Sequence, residues 1–306
     1  MERREAFMAL VVVQILYGLL PVAGKSVFPE VAPLAMTSLR VVGAASLFVA
    51  YHVLRGGDWP AWALWPRIGA LAFFGIIVNM GLFAIGLQWT HPVNATLIIM
   101  IIPVATYLIA VLMGKESIGP RRLTGILLAM AGAVYLIGLS GATADRQTML
   151  GDVLILINAL SFSLYLVISR PLAKEHGARA LTVWMFVAAS VLFVPIAWSL
   201  DTVGQIRMAS TPIHWWLVFI VMGPTVGAYL LNTAAIRKVS SSTVAVFIYL
   251  QTPISALAAW LILADLPSWR ILPSAALILA GVYVVARFSE RPAPIDPVSP
   301  PPPGRA

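Results

Sequence analysis

Two cations sit in stretches that are otherwise apolar. Arg40 interrupts a hydrophobic run that would reach from Pro33 to Leu54, and Lys25 closes the uncharged run 6–24. On insertion scales, an Arg or Lys at the centre of a lipid-spanning helix costs about 2.5–3.5 kcal/mol. A cation retained at that cost either meets an anionic or zwitterionic solute, or reaches headgroups or backbone carbonyls at a helix end. Neutral polar groups accompany the cations. Gln14, Tyr17, Pro21 and Lys25 share one helical face, spaced i, i+3, i+7, i+11, and Asn158, Ser161, Tyr165 and Ser169 repeat that spacing. Ser242, Ala245, Tyr249 and Thr252 form a third face, with Gln251 turned elsewhere, and Asn79 and Asn232 are isolated amides inside apolar runs. An amide within a membrane must find a partner, in a bond worth about 0.6–2 kcal/mol, so each Asn serves either helix packing or a solute. Tyr17, Lys25, Arg40, Asn79, Asn158, Tyr165, Asn232 and Tyr249 are the expected substrate contacts.

Other chemistries lack their residues. There is no cysteine, no histidine cluster and no HExxH, so no metal is expected. Gly24-Lys25-Ser26 lacks the upstream glycine of a phosphate-binding loop, so no nucleotide cofactor and no ATP-driven step are expected of this chain. No Asp, Glu or His falls near the middle of an expected span. That removes the acid–base pair an enzyme would need and the buried relay common in proton-coupled carriers. Facilitated movement or exchange of a solute is the expectation.

Composition says which elements must carry these residues. The chain has 306 residues, 60% hydrophobic and only 10% charged, whereas soluble domains carry about 25% charged residues. A soluble monomer, a disordered chain and a disulfide scaffold are excluded. Cutting the chain at its charges leaves runs that hold ten spans, near 6–26, 33–54, 67–87, 93–113, 119–138, 152–171, 179–200, 213–236, 242–263 and 269–287. Each approaches the roughly 20 residues a spanning helix needs, and no alternating strand pattern competes. With ten spans both termini share a side, and that side holds fifteen cations, Arg3 through Arg305; Lys25, Arg146, Arg207 and Arg270 face the other. The positive-inside rule then places both termini in the cytoplasm and accounts for most of the net charge of +8 without nucleic acid. The tail 288–306, with seven prolines, is expected to be disordered and cytoplasmic.

The first five spans resemble the last five. Tyr17-Gly18 and Lys25 match Phe162-Ser163 and Arg170; Gly75 matches Gly223, Pro103 matches Pro253, and Ala131-Gly132 matches Ala280-Gly281. Five is odd, so the halves must enter the membrane from opposite faces. The expected fold is therefore an all-α membrane protein of ten transmembrane helices in two inverted five-helix repeats, residues 1–138 and 151–287, joined by a periplasmic linker at 139–150. Inverted repeats build a site between the halves and expose it alternately, which is a transporter architecture. Pro103 and Pro253 are the expected kinks for gating. Gly125/Gly132 and Ser274/Gly281 are expected to form a packing seam.

These residues resemble the drug/metabolite transporter superfamily, specifically its ten-helix EamA-type members. The likeness spans about 6–287: Tyr17-Gly18, Lys25, Arg40, Gly86-Leu87-Gln88-Trp89-Thr90, Asn94-Ala95, Pro103, Gly114-Lys115-Glu116 and Gly125 to Gly132, then Gly151-Asp152, Phe162 to Arg170, Ala235 to Lys238, Pro253 and Ala280-Gly281. It implies an exporter or exchanger of a small metabolite such as an amino acid, or of a drug-like amphiphile, in the cytoplasmic (inner) membrane. The partners implied are a small-molecule substrate and membrane lipid, and a monomer suffices. The family often has Trp at the places of Tyr17 and Phe162, and carboxylates around the helix-nine proline where this chain has Thr252 and Ala264-Asp265-Leu266. The reading from another class is a non-transporting sensor or assembly protein using the same bundle.

The absence of cysteine makes orientation directly testable. Gln147→Cys is expected to react with a membrane-impermeant maleimide on intact cells, and Lys115→Cys only after permeabilisation. The opposite pattern would invert the assigned orientation.

Overall fold

The computed structural model describes residues 2–90, 95, 98–137, 146–263 and 270–288. The tail beyond Phe288 and most of the residues between the halves, together with Asn94 and the Ala264-Asp265-Leu266 segment, lie outside the described residues. Among the described residues, ten helices fall on the ten expected runs: α1 Arg3–Val27, α2 Pro33–Leu54, α3 Trp62–Trp89, α4 Ile102–Leu112, α5 Pro120–Ile137, α6 Arg146–His176, α7 Ala178–Ser199, α8 Thr211–Ile236, α9 Ser241–Ile262 and α10 Ile271–Arg287. A short helix, Thr202–Met208, lies between α7 and α8. No strand occurs among the described residues. Seven of these helices are long and apolar enough to cross a membrane by themselves, while α4 and α10 are shorter apolar segments. Large apolar side chains such as Leu112, Val191, Trp198 and Leu272 point outward, as a lipid-facing surface requires.

Local sequence explains the ends. Proline opens α2 and α5, where its missing N–H has no helical partner to lose. Helix α6 starts at Arg146, inside the stretch read as linker, and runs through Pro171 to His176. It stops at Gly177, whose φ of 86° suits glycine and ends the helix just before α7 begins.

The two halves share their irregularities. Helix α3 widens into a π turn at Phe73–Val78, and α8 does so at Val221–Gly227. Val221 lies 148 residues after Phe73, as Gly223 does after Gly75. Ahead of Pro103 the chain makes a tight turn, with the Ile101 N–H donating to the Ile98 carbonyl at 3.0 Å. Ahead of Pro253, α9 tightens to a 3-10 turn at Phe247–Leu250. Such departures disturb the regular bonding of backbone carbonyls, which in lipid must find partners inside the protein.

Side chains from the opposite half supply those partners. Ser161 donates its hydroxyl to the Phe74 carbonyl at 2.8 Å, and Tyr229 donates to that of Gly75 at 2.9 Å. Tyr249 donates to the carbonyl of Met100 at 2.9 Å, and Ser255 to that of Gly18 at 2.7 Å. The Asn158 amide donates to the Asn79 carbonyl. In all of these bonds the donor belongs to the second half and the acceptor to the first.

Close backbone approach fixes the remaining seam. On Gly281 a Cβ would sit 2.5 Å from the Gly125 carbonyl oxygen, and on Gly132 it would sit 2.9 Å from that of Ser274, so α5 and α10 touch backbone to backbone as expected. A methyl group at Gly69, by contrast, would meet nothing within 4 Å. Gly281→Ala is expected to destabilise by about 1–3 kcal/mol, the range for overpacking. Gly69→Ala should leave the melting temperature in detergent near wild type or slightly raise it. Equal melting temperatures for the two variants would refute the backbone contact.

Candidate functional site

Between the halves lies a cavity of about 140 Å³, lined from α1, α2, α3, α6, α8 and α9 and by Ile99 and Ile102. Its charged wall residue is Arg40, only 7% exposed. The Arg40 Nε donates to the Thr225 hydroxyl at 3.0 Å, and Thr225 donates onward to the Ile220 carbonyl at 2.8 Å. The π turn of α8 contains Thr225, so this irregularity helps hold the guanidinium in place. Among the described residues no carboxylate pairs with Arg40.

Amides make up much of the polar wall. The Gln251 Nε2 donates to the Gln14 Oε1 at 2.6 Å, joining α9 to α1. Asn158 is engaged with α3 through the Asn79 carbonyl. The side-chain amides of Asn79 and Asn232 line the cavity and bond to no other described residue. Tyr17 and Phe162, the aromatic positions matched by the repeat, both line it as well. The wall therefore offers a cation, neutral donors and acceptors, and aromatic and aliphatic surface, with no acidic side chain among its lining residues.

Of the expected contacts, Tyr17, Arg40, Asn79, Asn158 and Asn232 come together here. Lys25, Tyr165 and Tyr249 do not line the cavity. Lys25 is exposed near the end of α1. The Tyr165 ring lies against Gly75, where a Cβ would approach it to 2.5 Å. Tyr249 turns toward the backbone ahead of α4. On α6 the cavity face is Asn158, Phe162 and Leu166, and on α9 it is Val244, Ile248 and Gln251. The polar stripes beside those faces bond the neighbouring helices, which hydrophobic periodicity alone does not distinguish from lining a void. Phe162 was detectable through its match to Tyr17. Gln14 was detectable on the polar face it shares with Tyr17, whereas Tyr229 gave no signal and Gln251, expected to turn elsewhere, lines the cavity. Pro103 is buried at the start of α4 and Pro253 lies in α9 just after its 3-10 turn, so both flank irregular backbone.

Polar ties close the bundle at both ends. At the end where α1 begins and α10 ends, Glu116 accepts from Arg122 at 2.9 Å, from the Ser242 N–H at 3.1 Å and from the Ser242 hydroxyl, linking the α4–α5 connection to the start of α9. Both members of the ion pair are buried. At the other end, Glu30 accepts from the Ser210 N–H at 2.6 Å and hydroxyl at 2.8 Å, and the Ala32 N–H donates to Gln205 at 2.9 Å. These bonds strap the α1–α2 connection to the start of α8.

Comparison with known proteins places this architecture. The EamA-like transporter family matches residues 4–138 and again 149–287. The chain belongs to that family and is a multi-pass membrane transporter. An uncharacterized transporter of Archaeoglobus fulgidus is 24% identical over 259 residues, covering 83% of this chain and 88% of its own length. The uncharacterized transporter YyaM of Bacillus subtilis is 25% identical over 221 residues, 71% of each chain. One solved crystal structure superposes with a TM-score of 0.76 over 95% of this chain and 100% of its own, at 20% identity, a likeness of fold.

The Ser210 bonds hold the Glu30 carboxyl below the usual carboxylate range. A depressed carboxyl stabilises the fold above its unfolded-state value and loses that effect as pH falls through the folded-state value. The strap is thus intact at neutral pH and lost in acid. Glu30→Gln is expected to lower the melting temperature slightly at pH 7, and this difference should shrink to nothing below the carboxylate range. A difference that persists in acid would mean the carboxylate charge does not hold the strap.

Proposed function

We propose that the protein exports a small zwitterionic or anionic metabolite of amino-acid size. It does so across the cytoplasmic membrane, with both termini inside, by alternating access between its two halves. The observation carrying this reading is Arg40, buried, held by Thr225 and set on the cavity wall without a described acidic partner. A guanidinium in that setting complements a carboxylate, because its planar fork of donors matches the two oxygens. The open amides of Asn79 and Asn232 supply donors and acceptors for an amino or second polar group. Size supports the same class. A cavity of about 150 Å³ is known to hold a benzene-sized guest, and the 140 Å³ here suits a single small molecule better than a nucleotide sugar. The irregular turns in α3, α4, α8 and α9, which pair across the two halves, are where the helices can bend as the halves exchange positions. Outward movement follows the resemblance to exporters.

Purified protein in liposomes, tested with labelled neutral and acidic amino acids, checks the proposal. Flux above that of empty vesicles is expected for at least one of them. Arg40→Gln is expected to reduce that flux at least about tenfold, equivalent to about 1.4 kcal/mol. Lys25→Gln, away from the cavity, should stay within about twofold of wild type. With no carboxylate or histidine among the lining residues, an imposed pH gradient should not drive accumulation. If no panel member crosses, or Arg40→Gln transports like wild type, the reading fails.

A further inference from the structure

A second space, of about 510 Å³, opens at the end of the bundle where α1 begins, beside the end of α2 and the junction of α6 with α7. Arg55, Arg179, His52, His176, Trp184 and Asp58 are on its wall, so two arginines and two histidines stand there against one carboxylate. The guanidiniums of Arg55 and Arg179 both lie over the ring of Tyr51, at 5.8 and 5.6 Å from its centroid. Arg179 also donates to the Tyr51 hydroxyl at 3.0 Å. Among the described residues neither arginine forms an ion pair with a carboxylate. Two like charges gathered around one phenol repel each other unless an anion bridges them.

Independent features of the wall point the same way. Trp184 is 5% exposed, and its buried Nε1–H has no hydrogen-bond partner. The Nε2 of His176 makes no hydrogen bond but stands 3.5 Å from a carboxylate oxygen of Glu175, an ion pair when the ring is protonated. The indole N–H left without a partner costs about 1–3 kcal/mol, which an acceptor ligand removes. Helix α7 begins at this place behind Gly177, with no side chain capping its free N–H groups, and the N-terminus of a long helix favours an anion.

We infer that this pocket binds a phosphate-type anion, at a site separate from the central cavity. Two guanidiniums, an indole N–H and a helix N-terminus are the donors a phosphate oxygen shell takes. The anion can come from free phosphate or from the headgroup of an anionic lipid. The volume exceeds what one phosphate fills, and the pocket lies at the level where helix ends meet headgroups, so the headgroup is the better fit.

The test uses the full chain, stripped of lipid in a neutral detergent. Thermal unfolding and native mass spectrometry are followed with phosphatidylglycerol, phosphatidylcholine, and inorganic phosphate against chloride at equal ionic strength. Phosphatidylglycerol is expected to raise the melting temperature and stay bound, where phosphatidylcholine does neither. Stabilisation by inorganic phosphate, with phosphatidylglycerol no better than phosphatidylcholine, supports the same site with a soluble ligand. The double variant Arg55→Gln/Arg179→Gln is expected to retain at least about tenfold less of the bound species. Trp184→Phe keeps the ring and removes only the N–H, so it carries the test if the double variant does not fold, with retention falling several-fold. The proposal is overturned if neither probe stabilises the wild type beyond its control. It is also overturned if folded variants retain the ligand as the wild type does.

Discussion

Everything in this structure answers to the absence of water around the backbone. Inside lipid, a carbonyl released from helical bonding cannot turn to solvent, and leaving it bare costs several kcal/mol. A chain of ten regular helices would never meet that difficulty, but it would also have nothing that bends. Here the helices do depart from regularity, at the π turns of α3 and α8 and ahead of Pro103 and Pro253. The hydroxyls of Ser161, Tyr229 and Tyr249 then meet carbonyls in and beside these irregular stretches. The same bonds draw the two halves together and define the walls of the space between them. Irregular backbone, interface and cavity are thus three aspects of one arrangement.

Two buried arginines show how this environment sorts charge. Arg122 is neutralised by Glu116 and bound to the carbonyl of Phe288, so it closes one end of the bundle and offers nothing to a solute. Arg40 is almost as buried, but its described partner is the hydroxyl of Thr225, which carries no charge. A paired ion in low dielectric is structural; an ion held by a neutral dipole keeps its field for something else. The difference between them is in the partner, and only three-dimensional structure reveals it.

Much of the fold was legible from the sequence because membrane-spanning segments are written in long apolar runs bounded by charge. The ten runs, the packing seam of Gly125 and Gly281, and the position of Arg40 could all be read that way. Five of the eight expected contacts meet at one cavity, because an amide or cation in mid-span has few places to go. On α6 and α9 the cavity wall lies one strip beside the polar one, along Phe162 and Leu166 and along Val244 and Ile248. Ser161, Tyr165 and Tyr249 look like cavity residues for the reason that makes them useful elsewhere: they carry polar groups into lipid. Ser161 and Tyr249 meet carbonyls in and beside the irregular turns, which nothing in the periodicity of α3 or α4 announces, and the Tyr165 ring packs on Gly75. Lys25 stands at a helix end, where the sequence allows either reading.

The bonds between the halves have a direction, and it bears on how such a chain can change over generations. At the irregular stretches the donor side chains come from the second half and the receptive carbonyls from the first, while Arg40 and Arg122 donate the other way. Two copies of the first half alone would leave the carbonyls of Phe74, Gly75 and Met100 without the hydroxyls that now meet them. The halves resemble each other in outline but have specialised into complementary pieces. A self-associating first half would have to acquire the donors that the second half now supplies.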